Sequence, residues 1–187
     1  MDNLDNILNE VYKIKPYRNY FNITRFEYRG DADYGEVTQK CTDAIVKHFE
    51  KHFNQDTIFY DLGCGLGKMV MHIGLQYNPK KSCGIELSKE RIRCGFDLKD
   101  KYCKDNNIIS FIEGSFFEND ISDATVVYCD NQAFREELLP QIIDILPKNI
   151  LLNKIKNYGS FRIIIISGFT SSAVCFNHIL DVTIQIN

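Results

Sequence analysis

Apolar residues recur at Val37, Cys41, Ala44, Ile45, Phe49 and Phe53 with Lys40, Asp43, Lys47, Glu50 and Lys51 between them, which predicts an amphipathic helix over residues 36–53. The short apolar run 57–60 then reads as a strand, and residues 68–77 as a second helix ended by Asn78-Pro79. Residues 81–86 form a second expected strand, followed by a helix with Ser88 as N-cap that runs to about residue 104 and closes at Asp105-Asn106-Asn107. Strands are expected at 108–112 and 124–129, the latter almost wholly apolar, as a strand covered on both faces should be. Residues 133–146 are helical in pattern with a kink at Pro140, 161–166 make a fifth strand, and 179–186 a later one. Residues 6–14 suit a short helix, and Tyr17, Tyr20, Phe21, Phe26 and Tyr28 are either lid or core. Strands alternating with helices imply βαβ units, a mainly parallel sheet and an α/β fold.

Ligands of such sheets bind beyond the carboxyl ends of the strands. Four segments fall there: residues 61–67, Glu86, Gly114-Ser115-Phe116, and Asp130-Asn131. The first, Asp61-Leu62-Gly63-Cys64-Gly65-Leu66-Gly67, lets the backbone turn sharply from strand to helix and approach a ligand closely. A dinucleotide fingerprint would need a glycine at Lys68, and a phosphate-binding P-loop would need Ser or Thr at Met69. The remaining pattern, an acid followed by G-x-G-x-G, resembles the loop of class I S-adenosylmethionine (SAM) methyltransferases. Those loops cradle no pyrophosphate, and their acid lies near the methionyl end of the cofactor. Glu86, 25 residues after Asp61, can accept hydrogen bonds from both ribose hydroxyls. Ser115 and Phe116 are placed to meet an adenine ring, and Asp130, Asn131 and Phe134 to line the methyl-acceptor pocket. An N-cap role for Asn131 is the structural alternative.

At 187 residues and 44% hydrophobic content the chain suits one full core. A net charge of -3 gives no global attraction for nucleic acid, although Lys148, Lys154, Lys156 and Arg162 form a local basic stretch without a carboxylate. Seven cysteines without a C-x-x-C pair suit buried thiols in a reducing compartment, and no membrane span or signal peptide is readable, so an intracellular, soluble protein is expected. His48 and His52 share a helix face but lack the H-E-x-x-H arrangement, and no metal is expected.

The ordered motifs resemble the Dot1-like histone-lysine methyltransferases. Tyr34-Gly35-Glu36 looks like the family's Y-G-E, which would place Tyr34 and Glu36 over the cofactor. Residues 59–68 are similar to F-x-D-L-G-S-G-V-G-Q, which adds Lys68 to Asp61, Gly63, Gly65 and Gly67 as cofactor residues. Gly84-Ile85-Glu86 matches G-V-E, and Glu113-Gly114-Ser115-Phe116 resembles R-G-D-F with serine in place of the acid. Residues 130–134 parallel N-N-F-A-F, and Arg162-Ile163-Ile164 parallels R-I-V. The resemblance implies a Rossmann-like class I sheet of about seven strands, mostly parallel, with helices on both faces. It implies a cap segment at 1–35, a catalytic domain at 36–187, SAM as cofactor, and a protein substrate such as a histone or nucleosome, hence a nucleus or a host nucleus or cytoplasm.

Asp130 and Gln132 depart from the family pattern and make the acceptor channel more polar. Basic segments that would grip nucleosomal DNA reduce here to 148–162. In-line attack by a neutral lysine amine on the SAM methyl group is the implied reaction, with Asp130, Asn131, Phe134 and Tyr34 as the acceptor-side residues. Two other readings stand beside it. One is a nucleic-acid or other amino-group methyltransferase, since Asp130 and Phe134 supply the acid and aromatic of a D/N-P-P-Y/F motif without its prolines. The other is a SAM-binding regulatory module without turnover.

Overall fold

The structure is a computed structural model that describes residues 3–15, 37–130 and 138–147, and the backbone of 163–167. Five strands are described: β1 (Ile58–Leu62), β2 (Lys81–Glu86), β3 (Ile109–Glu113), β4 (Val126–Asp130) and β5 (Ile163–Ser167). They form one sheet in the order β3-β2-β1-β4-β5. The four strands β1 to β4 are parallel, as the alternation of elements requires. β5 runs antiparallel to β4, pairing Asp130 with Ile163 and Val126 with Ser167, so the described sheet is mainly parallel, as expected, with one antiparallel strand. A run of isoleucines carries no directional signal; direction depends on the sheet end to which the preceding connection delivers the chain. The expected strand at 179–186 lies outside the described residues.

Among the described residues five helices accompany the sheet: α1 (Leu4–Lys13), α2 (Gln39–His48), α3 (Lys68–His72), α4 (Lys89–Tyr102) and α5 (Leu138–Ile145). Local chemistry explains their ends. Asn3 caps α1 through Asp5 N–H, Thr38 caps α2 through Cys41 N–H, and Ser88 caps α4 through Arg91 N–H, the last as expected from sequence. The helix expected over 36–53 breaks near Phe49 into a 3₁₀ turn, Glu50–His52, and α3 widens into a π-helical turn, Ile73–Tyr77. Asn78 ends that turn with φ 47°, a left-handed conformation asparagine tolerates. Pro140 lies within α5, near the start of its described residues.

Parallel pairing fixes which side chains share a face. Phe59, Phe111, Val126 and Tyr128 pack on one face against α1 to α4; Tyr60, Ile85, Val127 and Cys129 pack on the other against α5. Helices thus cover both faces. Val11 of α1 is fully buried in the same core cluster as Phe59 and Met71. A polar network fastens that helix: the Tyr12 hydroxyl lies 2.9 Å from both His72 Nδ1 and Thr42 Oγ1, and His72 Nε2 lies 3.0 Å from Gln76 Oε1 and 3.2 Å from Asp43 Oδ1. Burial holds the His72 imidazole below its ordinary pKa despite the Asp43 carboxylate.

Candidate functional site

The strand register carries the site. Asp61 on β1 pairs with Gly84 on β2 and with Tyr128 on β4, so Asp61, Glu86, Tyr128 and Asp130 project from the same face of the sheet at its carboxyl-terminal end. Asp61 and Glu86 are buried and Asp130 is half-buried. Burial, reinforced by the charges of Glu86 and Asp130, pushes the Asp61 carboxyl well above the usual aspartate range. This end of the face therefore resists further negative charge.

The glycine loop is bound to its own chain. Gly63 and Cys64 both donate to the Ile85 carbonyl, at 2.8 and 3.1 Å, and Gly67 N–H donates to the Cys64 carbonyl at 2.9 Å. Gly65 N–H donates to Glu86 Oε2 at 2.8 Å. Four amides are thereby committed internally, which gives a physical reason why neither phosphate-binding template fits the sequence. Gly67 is required by packing as well as by its φ of 78°: a Cβ there would come within 2.4 Å of the Phe111 ring and 3.3 Å of Gly95 Cα.

Glu86 has a second task that its position in sequence did not disclose. Its Oε1 accepts the N–H of Ser88 at 2.8 Å while Oε2 holds Gly65, so one buried carboxylate ties the loop after β1 to the start of α4. Each oxygen retains a further acceptor site for a ligand hydroxyl. The buried ammonium of Lys68 bonds the Ile14 carbonyl at the carboxyl end of α1, where a cation also offsets the helix dipole. Ser115 and Phe116 follow β3: the Ser115 hydroxyl accepts Phe117 N–H at 3.2 Å, and the Phe116 ring stands 4.6 Å from that of Phe117 against the α5 side of the core. Gly114 N–H donates to the Glu86 carbonyl at 3.0 Å, which brings this turn beside the acidic group.

Tyr34, Glu36, Asn131, Phe134 and the basic stretch 148–162 lie outside the described residues. Sequence reading passed over Tyr128, a hydroxyl-bearing residue inside β4. The available signal was that hydroxyl in the otherwise apolar run 126–129. Burial, then the charges of Asp130 and Asp61, push the Tyr128 phenol far above its ordinary pKa and keep it a neutral donor. The six described cysteines are free thiols, and burial raises the pKa of Cys64 within the loop, which does not favour a nucleophilic thiolate there. Among the described residues no group of His, Cys, Asp and Glu is arranged to hold a metal ion, and no helix is long and apolar enough to cross a membrane.

A family model described as "Histone methylation protein DOT1" matches residues 12–174. A protein-lysine N-methyltransferase of Saccharolobus islandicus (strain REY15A) is 43% identical over 77 residues, covering 40% of this chain and 45% of that protein. A histone-lysine N-methyltransferase of Caenorhabditis elegans, H3 lysine-79 specific, is 28% identical over 121 residues, covering 58% of this chain and 13% of that protein. The chain thus spans less than half the length of these curated relatives. Among solved structures, an RNA methyltransferase from Salinibacter ruber in complex with S-adenosylhomocysteine aligns with a TM-score of 0.53 at 19% identity, covering 70% of this chain and 92% of that one, a likeness of fold alone.

Proposed function

The chain belongs to the DOT1 family, and from that premise we propose that it transfers the methyl group of SAM to a lysine amine of a protein substrate. The observation that carries this reading is the set of Asp61, Glu86 and Asp130 at one end of one sheet face, beside a glycine loop whose amides are largely committed. Carboxylates that repel one another in a buried setting suit a cationic ligand and oppose a pyrophosphate. SAM carries a sulfonium and an ammonium, and when bound it supplies an electrophilic methyl group. In this assignment Asp61 offsets the cationic end of the cofactor, and Glu86 accepts from the ribose hydroxyls while keeping both backbone bonds. Gly63, Gly65 and Gly67 shape the floor, and Ser115 and Phe116 border the adenine. Tyr34, Glu36, Asn131 and Phe134 complete the site on the strength of the family motifs.

Asp130 is the residue that distinguishes the acceptor side. A lysine arrives as an ammonium and must lose a proton before its nitrogen can attack. The Asp130 carboxylate attracts and orients that ammonium and can take the proton, whereas apolar walls favour the neutral amine. Holding nitrogen and methyl carbon in near-attack geometry supplies up to about 7–11 kcal/mol of barrier reduction. A histone is the target the family description suggests, and contact with nucleosomal DNA would fall to the basic stretch 148–162.

Labelled methyl transfer, run in parallel on nucleosomes, free histones and RNA, tests the proposal. Label is expected on protein lysine, with Asp130→Asn altering the rate or the choice of acceptor. Label on RNA alone would favour the nucleic-acid reading. A cofactor-dependent thermal shift without transfer to any of the three would favour the regulatory module, and unchanged activity of Asp130→Asn on every acceptor would remove Asp130 from the mechanism.

A further inference from the structure

We propose that the Tyr128 hydroxyl is a cofactor-binding group, a hydrogen-bond donor to the carboxylate of an α-amino acid moiety, here the methionyl end of SAM. The inference rests on SAM as the cofactor and is independent of the acceptor.

Tyr128 is 3% exposed, and its hydroxyl has no hydrogen-bond partner among the described residues. Buried hydroxyls are paired in the great majority of proteins, because losing hydration without a replacement partner costs free energy. A tyrosine rather than a phenylalanine at such a position therefore has a use outside the free protein's own contacts. Its place in the sheet says where that use lies. It is the register partner of Asp61 and stands two residues before Asp130 on the same face, so its ring belongs to the carboxylate side of the site.

The charges then say what the hydroxyl is for. The ligand that suits these carboxylates brings, with its two positive groups, one carboxylate of its own, and that anion needs donors in a region dominated by acids. The usual supply, a ring of loop amides, is largely committed: Gly63, Cys64, Gly65 and Gly67 donate to the protein. The Lys68 ammonium gives one of its N–H groups to the Ile14 carbonyl. Tyr128 offers a neutral O–H on this face, a donor that adds no charge to compete with Asp61 for the ammonium. It also acts through the cofactor and leaves the fold to the apolar ring.

Tyr128→Phe removes one oxygen and preserves the ring. Binding of SAM, S-adenosylhomocysteine and 5′-methylthioadenosine, the last lacking the amino acid moiety, is measured by calorimetry on both proteins, together with the melting temperature of each without ligand. The expected result is a loss of about tenfold or more in affinity for the first two ligands, as for a hydrogen bond to a charged group. Affinity for 5′-methylthioadenosine should stay unchanged, and the ligand-free protein should melt at the same or a higher temperature. Equal weakening for all three ligands, unchanged affinity for SAM, or failure of Tyr128→Phe to fold would each overturn the proposal, because a hydroxyl without a partner cannot be what holds the fold. Absence of SAM binding by the wild-type protein would instead overturn the cofactor assignment beneath it.

Discussion

Replacing Glu86 separates two roles that one carboxylate combines. If Glu86 only awaited ribose hydroxyls, removing it would leave the free protein intact and even relieve the repulsion that burdens Asp61. The structure predicts the opposite, because Glu86 is 6% exposed and its two oxygens accept Gly65 N–H and Ser88 N–H, each at 2.8 Å. Glu86→Ala leaves two amides in a buried setting without acceptors, at about 1–3 kcal/mol each. Relief of the Asp61 repulsion offsets part of that, so a net loss of about 3 kcal/mol is expected. With a urea m-value of about 2 kcal/mol/M, the unfolding midpoint falls by about 1.5 M. Glu86→Gln retains one acceptor oxygen but turns an NH₂ toward the other amide, and should lose about 1–2 kcal/mol. The assay is urea unfolding of the ligand-free proteins followed by tyrosine fluorescence, since the chain has no tryptophan. Ligand-free Glu86→Ala as stable as wild type would refute the loop-holding role and leave only the ribose role.

Asp61 gives a pH dependence whose sign follows from its raised pKa. Its protonated form is favoured in the fold, so apo stability is highest at low pH from this group and declines as pH rises from the ordinary aspartate value through the raised one. A cation favours the carboxylate, so SAM affinity should rise with pH over that same window, with proton release on binding; calorimetry in buffers of different ionisation enthalpy measures it, and a pH-independent affinity would contradict it. Gly67→Ala should cost about 2–5 kcal/mol, from left-handed backbone strain and the clash with Phe111, and Phe111→Leu in the same chain should recover the clash but not the strain, as read by a double-mutant cycle. Lys68→Met removes the bond to the Ile14 carbonyl, and hydrogen exchange should show the amides of α1 less protected by about 1–3 kcal/mol while the central strands keep their protection.

The sequence made the sheet and its functional edge legible because periodicity and turn chemistry are local. β2 falls where the apolar run ends at Glu86, Ser88 caps α4, and Asn78-Pro79 stops the chain after α3, each decided by neighbours a few residues away. The grouping of Asp61, Glu86 and Asp130 followed from one rule about where parallel strands end. Partnership across the chain was not legible. The bond of Lys68 to the Ile14 carbonyl depends on how α1 docks, 54 residues away in sequence. Tyr128 looked like one more apolar strand residue; alternation puts it on the face of Asp130, and the register adds that it lies directly beside Asp61.

What the sequence determined by itself is the kind of fold and the kind of loop: alternation of elements sets an α/β sheet, and an acid with three glycines at every second position sets a tight strand-to-helix turn that matches neither phosphate-binding template. Tertiary structure decided which groups are left to meet a ligand. The amides of Gly63, Cys64, Gly65 and Gly67 are spent on the protein, Glu86 holds two segments together, and the Tyr128 hydroxyl has no partner among the described residues. The physical reason is that a hydrogen-bonding group's availability depends on every other group brought within about 3 Å of it, and long-range packing sets that company.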